Sequence, residues 1–302
     1  MTRTTAASER HNTDETDRVA DAYRRCEELT RREARNFFYG IRLLPVPKRR
    51  AMSAAYALAR RIDDIGDDGL LTPMVKADRL EALRRDLHGP PGRLSDDPVI
   101  LAVRDAASRR PIPLSAFDEI IDGCQADAAG RRYEDFDDLL WYCRSVAGSV
   151  GRISVGVFGS RDQRRAAAYG DALGVALQLT NILRDLAEDA GLGRRYLPAG
   201  DLRRFGCELR WEDGRFTDAP DRLAALVQFE ASRADTWYGN GLRLLPLLDR
   251  RSAACVATMA GIYRDLLRRI ARNPMAVTAG RISLPTARKA WIAGRSLTRA
   301  TA

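Results

Sequence analysis

Residues Gly174–Pro198 read GVALQLTNILRDLAEDAGLGRRYLP, and the spacing within this stretch decides the fold. Its apolar residues recur with a helical period, while Gln178, Asn181, Asp185 and Asp189 follow one another at steps of three and four. One polar stripe therefore runs down a helix otherwise rich in Leu, Val and Ala. Polar groups in such company are costly to bury unless they are paired or hydrated. Apolar residues flank the stripe on nearly all sides, so it is expected to face inward across a helical bundle.

A second acidic stretch, ALARRIDDIGDD at Ala57–Asp68, crowds four aspartates into six residues. Asp63 and Asp67 share one helical face, roughly 5 to 6 Å apart at Cβ. Arg60 lies one turn earlier on that face, Asp64 points to the side, and Asp68 belongs to the turn before Gly69. Two such carboxylates repel by roughly 3 kcal/mol at an effective dielectric near 20. Acids at a helix C-terminus also oppose its dipole. A hard divalent cation shared with a substrate phosphate relieves both costs, whereas a solvated helix end merely tolerates them. Either Dx3D pair alone is weak, because a chain with 30% charged residues produces such spacings by chance. Two pairs on two helices can face each other and hold Mg²⁺ between them. Arg194, Arg195 and Tyr196 follow the second pair after a Gly-Leu-Gly turn, where guanidinium forks can clamp diphosphate oxygens.

The remaining segments are also helical in period, broken at LLPVPKRR, HGPPGRLSDDP, RRPIP, GRRYEDF, FGSRD and RNPM. Helices are expected over residues 17–38, 48–65, 73–87, 97–109, 114–129, 136–157, 163–190, 220–248 and 252–270. No βαβ alternation or internal repeat occurs, so the pattern gives an all-α single domain over 19–302, preceded by a disordered polar tail over 1–18. No apolar run is long enough to span a bilayer. Five scattered cysteines without a CxxC pair suit a reducing cytoplasm, and two histidines argue against a histidine metal site or catalytic triad. Fifty Lys and Arg against 41 Asp and Glu suit phosphorylated substrates or an anionic membrane surface; the bases are spread along the chain, which argues against nucleic acid. The C-terminal RISLPTARKAWIAGRSLTRA is basic and amphipathic, as a docked terminal helix or a peripheral membrane contact would be.

YALARRIDDIGDD and NILRDLAEDAGLGRRYLP, with YCRSVAGSVG at Tyr142–Gly151 and NFFYGIRLLP at Asn36–Pro45, together resemble the squalene and phytoene synthase family of head-to-head prenyl transferases. The resemblance covers roughly residues 20 to 295 and implies an isoprenoid-synthase-type helical bundle with a central apolar cavity. RNPMAVTAGRISLPTARKAW is similar to the bacterial presqualene diphosphate synthase branch that feeds hopanoid synthesis. By this resemblance Asp63, Asp67, Asp185 and Asp189 bind Mg²⁺, or Mn²⁺ in its place, with Asp64 and Glu188 as supporting carboxylates. Arg60, Arg184 and Arg195 match basic positions near the diphosphates. Tyr56, Tyr142, Tyr196 and Tyr263 match aromatic positions around the cavity, with Gln178 and Asn181 beside the second motif. Phe37, Val146 and Val150 would shape the prenyl channel. REARNFFYG departs from relatives that carry Ser before the aromatic pair, leaving Asn36 as the donor at that corner.

The resemblance further implies that two farnesyl diphosphates condense to presqualene diphosphate, with departing diphosphate, Tyr142 or Tyr263 accepting the proton. No NADPH is expected, since no GxGxxG follows a strand, and downstream squalene-forming enzymes are the expected partners. Phytoene synthase, acting on geranylgeranyl diphosphate, is the alternative enzyme. A catalytically silent isoprenoid-binding relative would lack motif carboxylates, and all four are present.

Overall fold

The computed structural model describes residues 2–90 and 94–299, the side chains of 2–14, 35 and 299 excepted. In chain order the helices are α1 (Thr2–Glu33), α2 (Arg35–Ile41), α3 (Val46–Asp67), α4 (Pro73–Leu87), α5 (Pro98–Arg109), α6 (Ser115–Ala128) and α7 (Phe136–Cys143). They continue with α8 (Ser149–Phe158), α9 (Gln163–Arg184), α10 (Leu186–Gly191), α11 (Ala199–Phe205), α12 (Pro220–Gly241), α13 (Arg250–Arg272) and α14 (Thr286–Arg299). The architecture is the all-α bundle expected, and local chemistry sets its boundaries. Asp97, Asp135, Asp162 and Asp249 cap α5, α7, α9 and α13 by accepting backbone N–H bonds.

The elements differ from the sequence expectation in several places: the segment 17–38 is split at Ala34 between α1 and α2, and 220–248 passes from α12 into a 3₁₀ turn at Leu242–Leu247. Helix α1 begins at Thr2, where a disordered tail was expected over 1–18; no Pro or Gly precedes Gly40 to stop it, and Met1 lies outside the described residues. The segment 136–157 is not one helix, because a π-helical turn at Arg144–Gly148 separates α7 from α8. The segment 163–190 breaks at Asp185, which caps both α9 and α10. A two-stranded antiparallel hairpin pairs Trp211–Glu212 with Arg215–Phe216, its turn made by Asp213 and Gly214 at positive φ.

Helix α9 is the axis of the bundle, with α8, α12, α13 and the π turn packed around it. Two of these approaches are backbone to backbone. A Cβ on Gly151 would lie 2.0 Å from the Gly170 carbonyl oxygen, and one on Gly174 would lie 2.1 Å from that of Ala147. The glycines of the YCRSVAGSVG motif and its partners on α9 thus bring the two segments closer than any side chain permits. Between α3, α6, α8, α9 and α13 lies a cavity of about 370 Å³. No helix among the described residues is long and apolar enough to cross a membrane.

Candidate active site

The cavity is apolar at one end and acidic at the other. Helix α3 turns Met52, Ala55, Tyr56, Ala59, Arg60 and Asp63 toward it, a face about 16 Å long at 1.5 Å per residue. Helix α9 supplies the opposing wall from Gly170 through Leu173, Leu177 and Gln178 to Asn181. Met52, Phe158, Leu244 and Cys255 enclose the deep end, and Phe37, Val146, Val150 and Tyr263 line the sides. Asn36 is not among the lining residues, and its buried Oδ1 has no hydrogen-bond partner.

At the acidic end the first aspartate pair meets arginines. Arg60 donates to Asp63 at 3.3 Å and pairs with Asp64 at 2.6 Å, while Arg194 donates to Asp67 at 2.7 Å. Asp63 keeps about half its side chain open to the cavity mouth (53%), yet the surrounding protein and the Asp67 carboxylate push its pKa up to about 6. Asp64 is held aside by Arg60, and Asp68 accepts the Leu70 N–H in the turn. Arg61 pairs with Asp97 on another face.

The second pair is enclosed. Arg184, 7% exposed, forks onto Asp185 through Nε and a terminal nitrogen and lies 6.0 Å from the Tyr263 ring centre. Burial alone would lower the Arg184 pKa; the hydrogen bond to Asp185, together with the Asp185 charge and Tyr263, more than offsets this and raises it. Arg281 reaches Asp185 at 3.3 Å and Glu188 at 3.6 Å. Asp189 stands among these groups with its pKa pushed up to about 7, first by burial and then by the Asp185 charge. Asn181 donates to Gln178 at 3.3 Å and leaves its own buried Oδ1 without a partner.

Between the two pairs the structure adds a residue that the sequence did not single out. Asp127, on the last turn of α6, accepts a 2.7 Å hydrogen bond from the Tyr142 hydroxyl and a second from Tyr196. Burial raises its pKa to about 6 against these bonds and the Arg194 charge, both of which lower it. Tyr133, Tyr142 and Tyr196 pack ring against ring around it, 5.2 to 6.3 Å between centres.

One expectation is corrected here, that for Arg281. Tyr142 is a donor to Asp127, and burial holds its phenol well above the ordinary pKa. Arg194 makes an ion pair with Asp67, and Arg195 stands near Asp189. Arg281 was grouped with the C-terminal basic stretch but folds back onto Asp185 and Glu188. Tyr56 lines the cavity as expected, its phenol pushed up to about 12 by burial.

The donor set suits a hard cation: the carboxylates of Asp63, Asp67, Asp185, Asp189 and Glu188, with an unpartnered amide oxygen on Asn181. The raised pKa values of Asp63 and Asp189 come first from burial and then from neighbouring carboxylates, which arginines only partly offset. Among the described residues no three such side chains already converge in ligating geometry, since Arg60, Arg184, Arg194 and Arg281 hold several of them in ion pairs.

A family model for squalene/phytoene synthase matches residues 30–288. The chain belongs to the squalene/phytoene synthase family. It is 49% identical over 280 residues to a protein named phytoene synthase from Mycobacterium tuberculosis, covering 92% of this chain and 91% of that one. A 15-cis-phytoene synthase from Synechococcus elongatus is 33% identical, covering 94% of each chain. Among solved structures, a dehydrosqualene synthase in complex with ligand superposes with a TM-score of 0.83 at 26% identity, covering 95% of this chain and 99% of that one. The squalene synthase HpnC from Alicyclobacillus acidocaldarius gives 0.73 at 28% identity, covering 87% and 97%. The family is one of prenyltransferase-type enzymes acting on prenyl diphosphates, generally with divalent metal ions.

Proposed function

We propose that this chain condenses two geranylgeranyl diphosphates head to head, giving a cyclopropyl C40 diphosphate on the way to phytoene. One observation carries the reaction class: an apolar cavity is lined at one end by Arg60, Asp63, Asp127 and Asn181, and the aspartates next along α3 and α9, Asp67 and Asp185, are each held by arginine. The 49% identity to a phytoene synthase over nearly the whole chain supports the longer substrate. The farnesyl reading, with presqualene diphosphate as product, is the second one, supported by the likeness to HpnC squalene synthase.

Asp63, Asp67, Asp185 and Asp189, with Glu188 beside them, would hold Mg²⁺, which supplies charge stabilisation for a departing diphosphate. Arg60, Arg184, Arg194 and Arg281 stand ready to exchange carboxylate partners for diphosphate oxygens. In the proposed reaction the C1–O bond of one substrate breaks and its electron pair leaves with diphosphate. The 2,3-double bond of the second substrate attacks the resulting allylic cation, and loss of a proton closes the cyclopropane. Leu173, Leu177, Val146 and Val150 keep water from that cation. Tyr142 and Tyr196 hold Asp127 in place at the boundary between apolar and acidic zones. The departing diphosphate or Tyr263, which lines the cavity, accepts the proton, because the Tyr142 hydroxyl is already engaged as a donor to Asp127.

Incubation with each diphosphate and Mg²⁺, with and without NADPH, followed by product analysis, tests the reading. A C40 product from geranylgeranyl diphosphate without NADPH supports it. A C30 cyclopropyl diphosphate from farnesyl diphosphate alone replaces it with the second reading, and no condensation product from either substrate overturns both.

A further inference from the structure

Helices α3, α9 and α13 all begin at the end of the bundle remote from the aspartates, and none has an acid in its first turn. Their opening turns instead carry Lys48, Arg49 and Arg50, then Arg164 and Arg165, then Arg250 and Arg251. A base at a helix N-terminus opposes the dipole, so this placement works against helix stability three times over. The connections feeding these helices add Arg42, Arg161 and Arg243. Residues 42–50, 159–165 and 242–251 together contain ten Lys and Arg against two Asp, nearly all of the chain's net charge of +9.

Though scattered in sequence, the three segments are tied together in space. Lys48 donates to Asp249 at 2.5 Å, to Ser252 at 3.1 Å and to the Phe158 carbonyl. The Ser160 hydroxyl donates to the Leu247 carbonyl at 3.1 Å, and Arg251 to that of Leu43 at 3.2 Å. Both aspartates are occupied: Asp249 caps α13 and Asp162 caps α9. Arg42, Arg50, Arg161, Arg164, Arg165, Arg243, Arg250 and Arg251 are exposed, and Pro45, Val46, Pro47 and Pro246 are exposed among them. Helix α3 separates this face from Asp67 by 22 residues, about 33 Å at 1.5 Å per residue.

We propose that this basic end is the surface by which the enzyme docks on an anionic lipid bilayer. Arginines bind lipid phosphates, and the exposed prolines and valine between them seat at the headgroup boundary. A single-stranded nucleic-acid surface would interleave aromatics with its bases, these segments contain none, and the exposed prolines and valine suit a lipid headgroup boundary better than a duplex backbone. The deep end of the apolar cavity, at Met52, Phe158 and Cys255, lies directly behind this face, so docking sets the hydrocarbon end of the site toward the membrane. The C-terminal basic stretch is the weaker candidate, because Arg281 pairs with Asp185 and Arg288 with Asp265. The inference does not depend on which prenyl diphosphate the site accepts.

The test is co-sedimentation of the full chain with phosphatidylglycerol/phosphatidylcholine vesicles, comparing wild type with R161Q/R164Q/R250Q. Wild type is expected to bind, to be released by salt and to ignore pure phosphatidylcholine. The triple variant should bind about a hundredfold more weakly, with an unchanged or higher Tm, since two of the three bases oppose a helix dipole, and with undiminished turnover. Equal vesicle binding by the variant overturns the proposal. So does loss of binding in R288Q/R295Q with the triple variant unaffected, or a DNA duplex that displaces wild type from the vesicles at equal salt.

Discussion

The first aspartate pair sits on the uninterrupted last turns of α3 with its side chains about half exposed, whereas the second straddles the break between α9 and α10 and is enclosed by protein. The spacing is the same, and in each pair the member with the raised pKa is the one held less closely by arginine: Asp63 meets Arg60 at 3.3 Å, against 2.7 Å between Asp67 and Arg194. Asp67 is tied by Arg194 and Asp185 by Arg184 and Arg281, while Asp63 and Asp189 are pushed up toward neutral pH. The difference lies in exposure: the side chains of Asp63 and Asp67 are each about half exposed, whereas that of Asp185 is 18% exposed.

The sharpest way to break this comparison is to neutralise one carboxylate at a time. Asp63→Asn and Asp189→Asn are each expected to lower turnover by on the order of a thousandfold, measured as product formed in a single turnover. Without metal both variants should unfold at or above the wild-type temperature, Asp189→Asn higher, because each removes a charge that burial and a like-charged neighbour disfavour. Asp185→Asn should behave oppositely in stability, losing about 3 kcal/mol by leaving the buried Arg184 without its carboxylate. If Asp185→Asn and Asp189→Asn shift denaturant midpoints in the same direction, the division of labour within the second pair is wrong.

The next largest effect concerns the arginines. Arg194→Gln removes the hydrogen bond from the α10–α11 connection to Asp67, and Arg281→Gln removes the outer contact to Asp185 and Glu188. Each should raise KM for the prenyl diphosphate by about tenfold to a hundredfold, the range for one charge-assisted hydrogen bond, with the fold intact by circular dichroism. An unchanged KM in Arg194→Gln would return the role to Arg195, as the sequence suggests.

Much of this was legible in the sequence, and what was not has a physical reason. The two Dx3D pairs, Arg60 and the glycine-rich segment could be found because helical period places their members on one face. Asp127 could not: it is a lone acid in QADAAG, its tyrosine partners lie 15 residues further on at Tyr142 and later still at Tyr196, and only tertiary packing joins them. Arg281 was misread for the opposite reason, since a base among other bases and apolar residues looks amphipathic until the chain folds back on Asp185. The break at Asp185 is hidden by a hydrophobic period that continues through it, and the π turn at Arg144–Gly148 by small residues compatible with either geometry. The clustering of bases at the closed end was invisible because three distant segments supply it.

A smaller effect separates the pairs by pH. Asp63 and Asp189 have folded pKa values near 6 and 7, above the ordinary carboxylate value. The folded apo protein therefore binds more protons than the unfolded chain between about pH 4 and 7. This contribution to stability is present below the ordinary carboxylate range and is lost as pH rises through 6 and then 7. Mg²⁺ affinity should move the other way, strengthening over the same interval as each carboxylate releases its proton. Calorimetric titration of the full chain with Mg²⁺ and inorganic diphosphate in two buffers of different ionisation enthalpy reads the proton release directly. Release at pH 6 that is no greater than at pH 8 would contradict the raised values.

The smallest effect tests the residue standing between the two pairs. Tyr142→Phe keeps the ring packed against Tyr133 and Tyr196 and removes one donor from Asp127, so stability should fall by no more than about 1 kcal/mol. That hydrogen bond lowers the Asp127 pKa, and its loss should carry the carboxyl above its present value near 6. If ionised Asp127 helps orient the acidic mouth, the acid limb of the kcat/KM profile shifts to higher pH in Tyr142→Phe while the plateau falls only several-fold. A profile that drops uniformly without shifting would instead assign Tyr142 to packing alone, and would leave the two aspartate pairs to act without an intermediary.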